Sequence, residues 1–385
     1  MNQFAISTHV IWGENKYKKL SSLYPSNDFK RVLIIADSGI STNPQINKIS
    51  NFLNESGYDV FDICIPNVSS EPTYDDLDSL SDEVKETNPD MIIGVGGGTI
   101  LDLAKGVSVL MTNEGKGISY RGMNKVSAEP LTYIAIPTTA GTGSEVTWTA
   151  AFIDNIDKMK LGINGKNVAP ACAILDPEFL YNCPNSVAVS SGLDAMVHSV
   201  EAITAKTSTI LTKSLGITAF SMMYQYLPKF VSGDNNKNVC ENLLLSSYIA
   251  GIAMMNAGGG PASGISYPLG VHYNVPHGFA GGVFLPHVFK VNVNNGYKGY
   301  EKLCKSLHDC DHLNKDLSIH FIELFDKFYS DIGGPKNLRT WNCSGEEDIR
   351  KLKHLTLEQR IENLELNPIT FTESDLEEVL NATCK

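Results

Sequence analysis

Asp194 and His198 are the residues whose chemistry is most directly readable. They stand four apart in Ser191-Gly-Leu-Asp194-Ala-Met-Val-His198-Ser-Val-Glu201, a segment otherwise rich in small and apolar residues. On a helix, two such side chains leave the same face one turn apart. A carboxylate paired with an imidazole suits Fe(II), Zn(II), Ni(II) or Co(II), and a third ligand from a distant loop would close the site. A second polar segment, Tyr267-Pro-Leu-Gly-Val-His272-Tyr-Asn-Val-Pro-His277-Gly278, follows later in the chain. On spacing alone, the competing reading of Asp194 and His198 is a solvated helix face.

Three further segments have the composition of a nucleotide site. Met91-Ile-Ile-Gly-Val-Gly96-Gly97-Gly98-Thr99-Ile-Leu-Asp102-Leu-Ala-Lys105 reads as a strand that runs through three glycines into a helix. Glycine permits close backbone approach, and a helix N-terminus offers unpaired N–H groups and partial positive charge to a phosphate. The spacing is not G-x-G-x-x-G, and a tight strand-to-helix turn is the alternative. The loop Pro137–Thr147 carries five hydroxyls and two glycines in eleven residues, which suits phosphate and ribose oxygens. Asp37, ending a strand-like run, is placed to accept from a ribose 2′-hydroxyl and repel a 2′-phosphate, or serves only as a turn former.

The elements that must position these residues fall into two regions. Arg31–Ala36, Tyr58–Ile63, Met91–Val95, Tyr133–Ile136 and Ala173–Asp176 are short apolar, often β-branched runs. Alternating with helical stretches, they predict buried parallel strands in a doubly wound α/β domain. After Pro184 the sequence reads as successive helices, beginning with 185–204, 208–226 and 237–255. The expected organisation is residues 1–181 as an α/β dinucleotide-binding domain and 182–385 as an all-helical metal-binding and substrate domain, with a cleft between them.

The 385 residues carry a net charge of −12, from 43 acidic against 31 basic residues, with no basic block. Nucleic acid and anionic membranes are therefore not expected as partners. No apolar stretch is long enough to span a bilayer, and no leader pattern opens the chain, so a cytoplasmic location is expected. The eight cysteines, among them Cys64, Cys304 and Cys310, are scattered without a C-x-x-C. Disulfides and a Cys-ligated zinc are not expected.

Taken together, these segments resemble the iron-containing, or group III, alcohol dehydrogenase family nearly from end to end. The resemblance runs through Ile11-Trp-Gly13, Ala36-Asp37, Glu71-Pro72-Thr73, Gly96–Thr99 with Asp102 and Lys105, Pro137–Thr147 and Asp176-Pro177. It continues through Gly192–His198, Pro268–Gly270, Asn274–Gly278, Leu285–His287 and Asn363–Pro368. It implies a Rossmann-like α/β domain followed by an all-α domain, the architecture shared with dehydroquinate synthase. It also implies NAD(H)-linked interconversion of alcohols and aldehydes, and homo-oligomers, commonly dimers. Gly96, Gly97, Gly98 and Thr99 correspond to the pyrophosphate cradle. Asp102, Thr138, Thr139, Thr142, Thr147 and Lys160 correspond to further cofactor contacts, and Asp37 to the position that favours NAD over NADP. Asp194, His198 and His277 correspond to three of four usual ligands of Fe(II) or Zn(II).

The sequence departs from that family at the fourth ligand. Where the family shows His-x-x-x-His before Pro-Leu-Gly, this chain has Ser263-Gly-Ile-Ser266-Tyr267. Three protein ligands with an open position still make a catalytic arrangement; the alternatives are a metal-free reductase, a cyclase-like lyase that uses NAD catalytically, or a non-catalytic binding protein. With the second histidine replaced, proton transfer falls to Tyr267, His272 or a water chain. His272 is alternatively a ligand, a substrate contact or a structural residue, and Tyr267 alternatively a packing aromatic. His287 reads as structural. The polar rim of Ser263, Ser266, Tyr267, His272 and Tyr273 predicts a sugar-like or anionic substrate.

Overall fold

The computed structural model describes residues 3–37, 44–62, the backbone of 63–65, 71–307 and 315–384. The N-terminal region holds strands β1 (His9–Trp12), β2 (Arg31–Asp37), β3 (Asp59–Ile65), β4 (Met91–Gly96), β5 (Gly122–Met123), β6 (Thr132–Pro137), β7 (Thr149–Asp154), β8 (Met159–Asn164) and β9 (Cys172–Leu175). Its helices are α1 (Leu20–Leu23), α2 (Pro44–Glu55), α3 (Tyr74–Lys85) and α4 (Gly98–Leu110).

Six strands form one parallel sheet in the order β1-β9-β6-β4-β2-β3. Alternate residues feed two cores. Leu33, Ile35, Ile92 and Tyr133 pack with Leu77 and Val84 of α3 and Leu103 and Val107 of α4. Val32, Ile34, Ile93 and Ile134 pack with Ile46, Ile49 and Leu53 of α2. Burial on both faces accounts for the apolar runs in the sequence. The chain leaves β2 first toward β3 and then returns to β4 on the other side. This is a topological switch point, and ligands bind beyond the carboxyl ends of strands at such a reversal. Asp37 and Gly97 lie at those ends.

One feature departs from the sequence expectation. β5, β8 and β7 form a separate three-stranded sheet, with β7 and β8 antiparallel. Thr149-Ala-Ala-Phe-Ile-Asp154 and Met159-Lys-Leu-Gly-Ile-Asn164 alternate between half-buried and buried residues instead of forming continuous apolar runs.

The C-terminal region is helical throughout the described residues: α5 (Asn185–Thr204), α6 (Ile210–Val231), α7 (Lys237–Ala257), α8 (Pro261–Tyr273), α9 (His277–Gly282), α10 (Leu285–Asn294), α11 (Glu301–Ser306), α12 (Leu317–Asp331), α13 (Glu346–Glu365) and α14 (Glu373–Cys384). The bounds of α5 match the sequence expectation. α6 instead runs through Pro228, because tertiary packing of Leu227 and Phe230 outweighs one missing backbone hydrogen bond. No single helix among the described residues is long and apolar enough to cross a membrane.

Cys172, Cys183, Cys240, Cys343 and Cys384 are free thiols, whereas Cys304 is disulfide-bonded, against expectation. The expectation rested on compartment and on the missing C-x-x-C, and neither constrains a single pair. The Cys64 side chain and Cys310 lie outside the described residues.

Candidate active site

A cavity of about 1200 Å³ runs between the carboxyl ends of the sheet and α5, α7, α8 and α9. It exceeds the roughly 300–1000 Å³ of a typical small-molecule pocket and has room for a dinucleotide with a substrate. Of the residues singled out in the sequence, Asp37, Gly97, Gly98, Thr99, Asp102, Thr138, Thr139, Thr142, Thr147, Lys160, Asp194, His198, Tyr267 and His277 all line it. Gly96 and His272 do not, and neither do Ser263, Ser266 and Tyr273 of the expected polar rim.

At the cofactor end, α4 starts from Gly97 in extended conformation with no side-chain cap. Its first amides are therefore available to an anion. A Cβ on Gly98 would lie 2.6 Å from Thr142 Cγ2, and one on Gly97 would lie 3.4 Å from the Thr139 side chain. The glycine turn and the hydroxyl loop thus pack into one cradle. Gly96 has a different role: its Cβ would meet Ile100 at 2.5 Å, so it is glycine for helix–strand packing.

Asp102 is committed within the protein. Its oxygens accept from Ser144 Oγ at 2.5 Å and from the Ala151 amide at 3.0 Å, anchoring the loop. Lys105, fully buried, donates to the carbonyls of Ser144, Thr147 and Thr149. Burial pushes its ammonium down to about 8, against the pull of Asp102 and Glu145. Burial likewise pushes the Glu145 carboxyl up to about 7, opposed by its own backbone amide and Lys105. Sequence reasoning missed both as supports of this loop, because nothing local marks a buried charge.

At the other end, α5 carries Asp194 and His198 on one buried face, as their spacing predicts, with His198 Nε2 3.4 Å from Asp194 Oδ1. His277 arrives from another element. Asn274 ends α8 in the left-handed conformation, φ 53°, and Pro276 turns the chain into α9, whose first residue is His277. Its Nε2 lies 3.9 Å from the same Asp194 oxygen. Ligand atoms about 2.1 Å from a tetrahedral ion are roughly 3.4 Å apart, so one edge has that length and the other is longer by about half an ångström. In line with this, no three His, Cys, Asp or Glu side chains among the described residues yet converge on one point. Asp194 Oδ2, His198 Nδ1 and His277 Nδ1 are buried without hydrogen-bond partners. The donor chemistry, one carboxylate and two imidazoles, is of the kind that suits a divalent ion. Burial first, then the charge of Lys160, holds the His277 imidazole down to about 3, so it is neutral and has a lone pair to offer.

Ser263 faces elsewhere. Its amide and hydroxyl both donate to Glu201, one turn beyond His198, and that buried carboxylate sits at the N-terminus of α8. Tyr267 lines the cavity 5.5 Å from the His277 ring. The Arg360 guanidinium lies 4.0 Å over the Tyr267 ring and Lys160 Nζ 5.7 Å from its centre. Arg360 also donates to the Lys160 carbonyl, and its Nε is buried without a partner. It leaves α13 at a break in the helix, φ −140° and ψ 23°. His272 points away from this group, toward Lys158 and Lys351; burial and those charges lower its imidazole. Glu71, Glu201 and Arg360 were not singled out as site residues in the sequence. Only Glu71 carried a signal, the Glu71-Pro72-Thr73 motif.

The chain matches the iron-containing alcohol dehydrogenase model over residues 7–177 and the C-terminal model of the same family over residues 188–384. It is 30% identical over 365 residues to an alcohol dehydrogenase of Thermococcus barophilus, covering 92% of each chain. It is 30% identical over 293 residues to the NAD-dependent methanol dehydrogenase of Bacillus methanolicus, covering 76% of each. A crystal structure of a 1,3-propanediol oxidoreductase superposes with a TM-score of 0.90 at 25% identity, covering 99% of both chains. With matches spanning both halves of the cleft, the chain belongs to the iron-containing alcohol dehydrogenase family and is an oxidoreductase acting on CH–OH groups.

Proposed function

We propose that the protein transfers hydride between NAD(H) and a polar alcohol or aldehyde, with Fe(II) or Zn(II) held by Asp194, His198 and His277. The observation that carries this reading is that the three donors stand together in the same cavity as the Gly97–Thr99 cradle. NAD is supported by Asp37 at the end of β2 and by the relative named an NAD-dependent methanol dehydrogenase. The amides of Gly98 and Thr99 hold the pyrophosphate, and the threonines of the hydroxyl loop hold neighbouring oxygens. When bound, a divalent ion supplies Lewis-acid polarisation of the substrate oxygen, and hydride transfer is nicotinamide chemistry.

The protein's own part is orientation and the proton. In the reductive direction Tyr267 Oη donates the proton to the substrate oxygen as hydride reaches the carbonyl carbon. His272, outside the cavity, takes no part. The polar groups beside Tyr267, Lys160 Nζ and the Arg360 guanidinium, favour a sugar-like or anionic substrate over a simple alkanol.

The test is metal content and NADH turnover in wild type and His198→Ala, both purified without chelators. About one equivalent of Fe or Zn in wild type, lost in the variant together with turnover, supports the reading. Metal-free protein that still oxidises NADH selects the metal-free alternative, and turnover without net NADH change selects the cyclase-like one. Short alkanals turned over as well as carboxylate- or sulfonate-bearing aldehydes would remove the polar-substrate assignment.

A further inference from the structure

Glu71 reaches the cavity from the α/β side and touches both halves of the molecule. Its Oε1 accepts from Lys160 Nζ at 2.5 Å, and the same oxygen lies 3.6 Å from His277 Nδ1. The Lys160–Glu71 pair is largely buried, with side chains 9% and 15% exposed. Across the cleft, Gly270 of α8 leaves the space that Glu71 occupies: a Cβ there would lie 2.9 Å from Glu71 Oε2. His277 is thus approached from two sides, with Nε2 toward Asp194 and Nδ1 toward Glu71. The Nδ1 atom is buried without a hydrogen bond. The Glu71 carboxylate, only slightly beyond hydrogen-bond reach of it, is the acceptor poised to take it.

We infer that Glu71, clamped by Lys160, is the positioning residue of His277: it takes the Nδ1 proton as a hydrogen bond and fixes the tautomer whose Nε2 lone pair faces Asp194 and His198. The physical reason is general. An imidazole ligand binds through one nitrogen only when the other carries the proton, and a carboxylate there fixes ring orientation and raises basicity. The inference rests on the metal reading above. It adds that the α/β half, which supplies no ligand, helps organise the ligand set.

The test is Zn(II) affinity, read by competition with a chromogenic chelator, in wild type, His277→Ala, Glu71→Ala, Glu71→Gln and Gly270→Ala, with NADH binding followed by fluorescence. Loss of an outer-shell partner costs about 10- to 100-fold in metal affinity. Glu71→Ala is expected to show that loss, and Glu71→Gln, whose amide oxygen still accepts, to recover most of it. Gly270→Ala, which displaces Glu71 without changing its chemistry, should weaken Zn(II) even where a Glu71 variant folds poorly. Wild-type affinity in both Glu71→Ala and Gly270→Ala, beside a His277→Ala that loses the metal, overturns the inference while leaving the metal site standing. Glu71→Gln as weak as Glu71→Ala overturns orientation in favour of charge alone. Wild type that binds no Zn(II) overturns the metal reading itself.

Discussion

Gly278→Ala isolates what holds His277 in place. A Cβ on Gly278 would lie 1.8 Å from the Ser190 carbonyl oxygen and 2.6 Å from its carbonyl carbon. Carbon-to-oxygen contacts normally begin near 3.3 Å, so α9 and α5 must part by about 1.5 Å at that point. The two nearest atoms it would meet are main chain, and no rotamer change relieves the clash. The cost belongs at the upper end of the overpacking range, about 3 kcal/mol. The same displacement acts beside His277 on α9 and one turn before Asp194 on α5, opening an edge that is already 3.9 Å. A misplacement of about 1 Å in such a site costs on the order of 100-fold. Gly281→Ala, on the same helix, is the control: its nearest neighbour would be Val197 Cγ2 at 3.3 Å, a side chain, and alanine is the better helix former. Urea unfolding followed by circular dichroism, with Zn(II) competition on the same samples, reads both effects. Equal midpoints and equal Zn(II) affinities in the two variants would refute the claim that this backbone contact sets the ligand geometry.

Tyr267→Phe keeps the ring contacts with His277 and Arg360 and removes only the proton donor, so kcat should fall by about 10²- to 10⁴-fold with KM nearly constant. In steady-state assays His272→Ala should stay close to wild type, and a near-normal kcat in Tyr267→Phe would exclude the phenol from proton transfer. Asp37→Ala should raise the kcat/KM of NADP relative to NAD by about tenfold or more, since it removes a negative charge from the 2′-phosphate position; an unchanged ratio would reassign Asp37 to a structural turn. Glu145, raised to about 7 by burial, holds its proton more tightly folded than unfolded. Its contribution to stability is therefore greatest below about pH 4.5 and declines by up to a few kcal/mol as pH rises to 7. Glu145→Gln should flatten that part of the stability profile in chemical denaturation at pH 5, 6 and 7, and a slope identical to wild type would show that Glu145 does not titrate there.

What was legible in the sequence was whatever is local. Asp194 and His198 share a face because the helical period makes them do so, and the Gly97–Thr99 turn announces itself by composition. The doubly wound α/β domain followed from a run of buried strands, whereas the switch point at β2 needed the strand order. What was not legible depends on long closures. Glu71 meets Lys160 across 89 positions, and Arg360 meets the Lys160 carbonyl across 200, and no periodicity encodes either contact. His272 lies inside α8, where five residues of helix turn it about 140° away from Tyr267 and leave it off the cavity lining, a placement its sequence spacing did not reveal.

The two halves of the site therefore have separate jobs but not separate supports. In the proposed function, cofactor contacts come from the α/β side and metal donors from the helices, so hydride transfer would require the cleft to be closed over both. Among the links that cross it are Glu71 beneath Gly270 and beside His277, and Arg360 reaching back to the Lys160 carbonyl. Both end on Lys160, whose ammonium holds Glu71 and whose carbonyl holds Arg360. Opening of the cleft at this point would lengthen these contacts, among them the 3.6 Å between Glu71 Oε1 and His277 Nδ1. Metal affinity and cofactor occupancy are then coupled through one strand, β8. Saturating NADH, by holding the cleft closed, should tighten Zn(II) binding in wild type, and by thermodynamic reciprocity Zn(II) should tighten NADH by the same factor. Glu71→Ala should abolish that coupling, and coupling that survives in the variant would mean the halves communicate by another route.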